Sequence, residues 1–339
     1  MEAFLIDAWL GHDDPIPIRD EASVSLARER ARAVAAAAGL NAVEAGRLAS
    51  IASELGHNHL AHARNGQIAI RATTRGEYAG VEICAADQGD GIADPTRALQ
   101  GVARISGSLG VGFAAIREQS DELDVDVRRG EGTCVRARVF HGNAPRRREV
   151  GVFGRPYQDE PKSGDHAWFL REEGRLLVAV CDGLGHGPLA RDASATAIGV
   201  FARQRGTSPR AIIEECHASL GPTRGAVMAV AALGESDAPT LDIASVGNIA
   251  SELIEPRTTR RFGASSFVLG SSQRGWRPHV EVVPLPPRAV FMACSDGISS
   301  RAAIDEDLDL LREHPIVIAH QLVERFGRDN DDVLVLVAR

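Results

Sequence analysis

Four acidic positions in the second half of the chain border apolar runs, and their chemistry suits a hard cation. Asp182 ends the run Leu176 to Cys181 and opens the hexamer Asp182-Gly183-Leu184-Gly185-His186-Gly187. Asp165 follows Ser163-Gly164 and leads into Ala167-Trp168-Phe169-Leu170. Ser295-Asp296-Gly297 closes the run Ala289 to Cys294, and Asp331-Asp332 precedes Val333 to Val337. Apolar runs of this length read as buried strands, so the acids are expected at strand ends. Carboxylates are oxygen ligands for Mg²⁺ or Mn²⁺, and glycines beside them let backbone carbonyls and amides approach an ion or a phosphate. The hexamer alone also reads as a plain glycine-rich turn ahead of a helix. The recurrence of Asp in the same context favours the metal reading.

The first half holds a different set. Ser23 to Ala38 and Val43 to Ala63 carry helical periodicity, the first ending at Gly39. On the second, Glu54, Asn58 and His62 fall at i, i+4 and i+8 and share a face, either a polar surface stripe or a site. A strand from Gly80 to Ala86 ends in Asp87-Gln88-Gly89-Asp90-Gly91. Gly107, Gly110 and Gly112 then punctuate a loop that runs into a helix at Phe113, a pattern able to lend amides and a helix dipole to phosphates. Gly132-Thr133 opens another strand, and the Lys of a Walker A loop is missing. His57, His59 and His62 point in different directions on a helix and do not make a zinc site.

Two families resemble these patterns. Residues of about 150–339, with Asp165, the Asp182 hexamer, Thr223-Arg224-Gly225-Ala226, Val246-Gly247-Asn248, Asp296 and Asp331-Asp332, resemble the metal-dependent PPM protein phosphatases, in particular the SpoIIE/RsbX type. The resemblance implies dephosphorylation of phosphoserine or phosphothreonine with two Mn²⁺ or Mg²⁺ ions. Asp182 would be the bridging catalytic ligand, helped by the Gly183 carbonyl, with Asp165, Asp296 and Asp331 completing the set. His186 and Arg224 would be candidates for proton donation and phosphate binding. Leu334 stands where the family often has Thr.

Residues of about 15–141 are similar to the Bergerat ATP-binding fold of the GHKL superfamily, closest to RsbT-type anti-sigma-factor kinases. The matching positions are Ser53-Glu54-Leu55, Asn58, His62-Ala63, Asp87-x-Gly89-x-Gly91, Gly107 to Gly112, Asp121-Glu122-Leu123 and Gly132-Thr133. By that likeness Glu54 is the general base and Asn58 holds the Mg²⁺ of ATP. Asp87 accepts from the adenine amino group, while Gly89, Gly91, Gly107, Gly110, Gly112 and Thr133 shape the nucleotide site. Asp90 replaces a common Pro.

The expected fold class is α+β, an N-terminal Bergerat-fold α/β sandwich followed by a PPM-type αββα sandwich. Expected domains are 1–142 and 151–339, joined by a linker over 143–150 with Pro145 and Arg146-Arg147-Arg148. The resemblances imply kinase and phosphatase activities on STAS-domain proteins of a partner-switching or stressosome-like pathway. The alternative is a phosphatase whose first domain only binds nucleotide or partner. The chain of 339 residues carries a net charge of −8, giving no electrostatic support to nucleic-acid binding. No apolar run reaches a membrane-spanning length and no signal peptide opens the sequence, so a cytoplasmic protein is expected. The five scattered cysteines read as small buried hydrophobes in a reducing compartment. Oligomeric state is not encoded in any motif.

Overall fold

The computed structural model describes residues 14–101, 112–157, 160 and 162–339. Its contacts divide the chain into two units, residues 1–149 and 150–339. Residues 143–149 form no regular element, and Val150 already opens a strand.

In the first unit, helices α1 (Glu21–Ala37) and α2 (Ala42–His62) begin slightly ahead of the positions their periodicity predicts. The reason is capping. The Asp20 carboxylate accepts the Ser23 amide at 2.8 Å. Asn41 accepts from Glu44 at 3.0 Å while the Glu44 carboxylate accepts the Asn41 amide at 2.8 Å, a reciprocal box that fixes the start of α2. Both helices pack on an antiparallel sheet in the order β1 (Ile16–Pro17), β2 (Gln67–Arg75), β3 (Tyr78–Ala86), β5 (Gly132–Phe140), β4 (Glu122–Arg128). Short helices α3 (Pro95–Leu99) and α4 (Gly112–Gln119) follow β3.

Side chains alternate across these strands. Val81, Ile83, Leu123, Val125, Val135 and Ala137 form an apolar face. The other face carries a lattice of buried charges. Arg138 pairs with Glu82 at 2.5 Å and with Asp124 at 2.7 Å, and Arg75 with Glu122 at 2.6 Å. Burial pushes the Glu82 carboxyl upward, but Arg138 and Arg71 outweigh it and hold it at about 2. Each charge is tolerated because its neighbours across the strands carry the opposite sign.

The second unit is two stacked antiparallel sheets. One runs β6 (Val150–Arg155), β15 (Val333–Ala338), β14 (Val290–Cys294), β11 (Ala250–Glu255), β12 (Thr258–Arg261). The other runs β13 (His279–Pro284), β10 (Thr240–Val246), β9 (Ala226–Gly234), β8 (Arg175–Gly183), β7 (Asp165–Glu172). Val152, Phe169, Val178, Ala231, Phe291 and Leu336 belong to the shared core. Helices α5 (Pro188–Ala202) and α6 (Pro209–Ser219) cover the second sheet, and α7 (Pro315–Phe326) covers β6 and β15. The result is the four-layer αββα sandwich that the resemblance implies. Packing is close: a β-carbon at Gly151 would lie 2.1 Å from the Ile316 nitrogen of α7. All five cysteines are buried, as expected for small apolar residues, and none is in a disulfide. Among the described residues no helix is long and apolar enough to cross a membrane.

Candidate functional sites

In the second unit, strand pairing brings the first two acids together. Asp165 opens β7 directly opposite Asp182 near the end of β8. Asp165 is buried, its amide donates to Ser163 Oγ at 3.0 Å, and its Oδ2 has no hydrogen-bond partner. Asp296 follows β14 and accepts from the Asn248 side-chain amide at 2.8 Å. Asp331 lies just before β15, its Oδ1 accepting the Asp332 amide at 2.9 Å.

These carboxylates feel one another. Burial, then Asp182, Asp332 and Asp296, push the Asp165 carboxyl well up. Burial, then Asp296, Asp331 and Asp332, push Asp182 up to about 7. Asp296 is raised by burial and Asp331, against a downward pull from Arg328. Four strand-end segments thus aim negative charge into one space, an arrangement that favours a cation. Among the described residues no three acidic, His or Cys side chains are already drawn into one coordination set. The side chains share the space electrostatically and would turn inward to ligate. An orphaned, buried carboxylate oxygen on Asp165 and an all-oxygen donor set fit Mn²⁺ or Mg²⁺.

Asp332, the neighbour of Asp331, has a task in the backbone around the site. Its carboxylate accepts the Tyr157 amide at 2.7 Å and the Gly164 amide at 2.8 Å. The glycines of the hexamer answer to packing. A β-carbon at Gly183 would stand 1.9 Å from the Ala190 carbonyl oxygen of α5. Gly185 and Gly187 have φ of 84° and 76°, and Gly187 caps α5. His186 is exposed on this turn, with Nδ1 3.3 Å from Glu160 Oε1. Arg224 is also exposed, its Nη1 3.3 Å from where a Gly185 β-carbon would lie. Both are thus exposed at the turn that follows Asp182, and neither is among the charges that act on Asp165, Asp182 or Asp296.

Asn248 was visible in the sequence only as the end of a strand, and its bond to Asp296 spans 48 residues. Ser295 was seen only as the neighbour of Asp296, yet its Oγ accepts the Leu334 amide at 3.0 Å, while Asp165 leans on its side chain. Nothing in the local sequence marked Arg328. Leu334 supports the site through its backbone, since its side chain lies in the core between the sheets.

In the first unit, Glu54 and Asn58 stand one turn apart on α2 and aim at the start of α4. A β-carbon at Gly112 would be 2.7 Å from Glu54 Oε2 and 3.6 Å from Asn58 Oδ1. His62, on the same sequence stripe, is exposed at the end of the helix. Asp87 ends β3, where its Oδ1 accepts the Gly89 amide at 2.6 Å and its own amide donates to the Thr133 carbonyl at 3.0 Å. Burial pushes its carboxyl up to about 6. A β-carbon at Gly132 would strike the Asp87 carbonyl oxygen at 2.0 Å, and one at Gly91 would lie 2.9 Å from the Arg128 carbonyl oxygen. Asp90 is exposed and 3.5 Å from Arg64, so it faces solvent. Asp121 ties Arg47 of α2 at 2.6 Å and the Phe140 amide at 2.8 Å, a structural role. Gly107 and Gly110 lie outside the described residues.

Comparison with known proteins agrees with this division. Residues 17–139 match the family described as histidine kinase-like ATPase domain, and residues 172–339 match Stage II sporulation protein E, SpoIIE. The chain is similar to serine/threonine-protein kinase RsbT of Bacillus subtilis (strain 168), 33% identical over 122 residues, which cover 36% of this chain and 92% of that kinase. A structure solved in work on the bacterial stressosome, described as a modular system adapted to control secondary messenger signaling, is 31% identical. It aligns with a TM-score of 0.52 over 57% of this chain and 99% of its own length. The crystal structure of RsbX in complex with magnesium aligns with a TM-score of 0.50 at 21% identity, over 58% of this chain and 96% of its own, a likeness of fold. The chain therefore joins a histidine kinase-like ATPase domain of the RsbT family to a SpoIIE domain of PPM phosphatase fold.

Proposed function

We propose that the protein sets the phosphorylation of a STAS-domain partner in both directions, with a metal-dependent serine/threonine phosphatase in residues 151–339 and an ATP-dependent kinase in residues 1–142. The observation that carries the phosphatase reading is the convergence of Asp165, Asp182, Asp296 and Asp331: Asp182 and Asp296 push the Asp165 carboxyl up, Asp296 and Asp331 push Asp182 up, and Asp331 pushes Asp296 up. Asp182 and the Gly183 carbonyl would hold two ions together with Asp165, Asp296 and Asp331. Bound there, Mn²⁺ or Mg²⁺ supplies Lewis acidity that activates water for attack on phosphorus. Asn248 holds the Asp296 carboxylate in place. Exposed Arg224 offers a planar fork to the phosphate, and His186, oriented by Glu160, offers a proton to the departing serine oxygen.

In the kinase half, Glu54 takes the proton of the attacking hydroxyl, Asn58 orients Mg²⁺ on the ATP phosphates, and Asp87 reads the adenine amino group. The test is a labelled-ATP assay with a STAS protein encoded beside this one, followed by release of label on adding Mn²⁺. Incorporation without release, or release without incorporation, would remove one half of the proposal. ATP binding with no incorporation would make the first unit a binding module. The working compartment on this reading is the cytoplasm.

Two results should follow. Asn248→Ala frees Asp296 from its amide partner, so half-maximal activity should require about 10–100-fold more Mn²⁺, with turnover recovered at saturation. A Mn²⁺ titration of hydrolysis checks it. Asp87, with its carboxyl near 6, is the better acceptor when ionised. ATP affinity should therefore fall about tenfold from pH 7 to pH 5, one proton being taken up in the free chain. Calorimetry at both pH values, with Asp87→Asn as the flat control, measures this.

A further inference from the structure

We propose that His59 positions Asp87 for an adenine amino group. The inference rests on the reading of the first unit as a nucleotide site. His59 lies on α2 beside Asn58 and is only 8% exposed. Its Nε2 is 3.9 Å from Asp87 Oδ2, and its Nδ1 has no hydrogen-bond partner. The other carboxylate oxygen, Oδ1, is taken by the Gly89 amide, so Oδ2 is the atom left for a ligand.

The ring's environment selects its form. The ring is buried with nothing to meet Nδ1, so the position of its N–H decides what it can do. A proton on Nδ1 would be a buried donor with nothing to receive it, which costs more than an idle acceptor. The tautomer protonated on Nε2 directs its N–H at Asp87 instead. Gly66 makes room for the ring in this place: a β-carbon there would be 2.7 Å from both Cγ and Nδ1 of His59. At 3.9 Å the pair is just short of a hydrogen bond, and functional contacts of this kind commonly tighten when ligand arrives. With Nε2–H on one side of Oδ2, the remaining lone pair faces the incoming amino group. His59 thus fixes where Asp87 points without touching the nucleotide.

The experiment measures binding of ATP and of purine riboside 5′-triphosphate, which lacks the 6-amino group, to the full chain by calorimetry. His59→Leu should weaken ATP about tenfold, the scale of a hydrogen bond to a charged group, and change the analogue less than about twofold. His59→Gln, whose amide N–H reaches as far as Nε2, should restore most of the discrimination. Should the Leu variant not fold, His59→Asn replaces it, since its shorter amide stops short of Asp87. Equal weakening of both nucleotides, without recovery in the Gln variant, overturns the positioning role. Failure of the unsubstituted chain to bind either nucleotide overturns the nucleotide-site reading and this inference with it.

Discussion

Asp182→Asn should abolish phosphomonoester hydrolysis, with p-nitrophenyl phosphate turnover in Mn²⁺ falling about a thousandfold or more. Several kcal/mol of metal-derived stabilisation is at stake, and each 1.36 kcal/mol is a factor of ten. The same substitution should stabilise the chain when metal is withheld. Asp182 sits opposite Asp165, and burial with three further carboxylates lifts it from 3.8 to about 7. A carboxyl raised on folding binds more protons in the native state than in the unfolded one. Its contribution to stability is therefore lost as pH rises from about 4 to about 7. Removing the charge relieves this repulsion, raising Tm at pH 8 by roughly 2–4 °C for each kcal/mol recovered. Mn²⁺ should raise the Tm of the parent chain and leave the variant nearly unmoved. Scanning calorimetry with EDTA and with Mn²⁺ reads both effects. A variant that still hydrolyses at the parental rate would remove Asp182 from the centre.

Glu54→Gln should cut phosphate transfer to the STAS partner by about 10²–10⁴-fold, the range supplied by a positioned general base. ATP affinity should hold, because Glu54 is directed at the start of α4 and Asp87 lies at the end of β3. Hydrolysis in the second unit should be untouched. The pair Asp182→Asn and Glu54→Gln would then drive the partner in opposite directions, one accumulating phosphate and the other losing it. Gel separation of phosphorylated and unphosphorylated partner gives the result. Undiminished transfer by Glu54→Gln would place the base elsewhere.

The sequence exposed those features that are local. An apolar run bordered by Asp says strand boundary and acid within a few residues, and Asp165 and Asp331 ahead of their runs and Asp182 and Asp296 behind theirs were legible as strand-end acids for that reason. Helix starts were legible to within a turn because capping is a matter of three residues. Asn248 on Asp296 was not, since the contact depends on strands β11 and β14 lying side by side. Leu334 looked like a lost supporting hydroxyl. In the structure it alternates into the core, and Ser295 meets its amide instead. The strand Glu122–Arg128 alternates charged and apolar residues, a pattern that ordinarily means one wet face. All seven are buried, because arginines on β2 and β5 neutralise Glu122 and Asp124, while Arg128 of the same strand neutralises Asp126. Pairing of opposite signs across strands is a tertiary fact that no window of one strand contains.

Asp331 and Asp332 carry a consequence for how this chain can vary. Both act on Asp182, Asp331 alone acts on Asp296, and Asp332 alone clasps the amides of Tyr157 and Gly164. A β-carbon at Gly297 would meet the Asp332 carbonyl oxygen at 2.0 Å, so the backbone there has no room to slide. Two chemically identical neighbours thus hold posts that differ only by the side on which they emerge. Deleting one residue ahead of β15 would hand each carboxylate its neighbour's duty and turn Leu334 out of the core. The doublet works as a key cut to a single reading frame of the strand. Change by substitution is open to this stretch; change by length is closed.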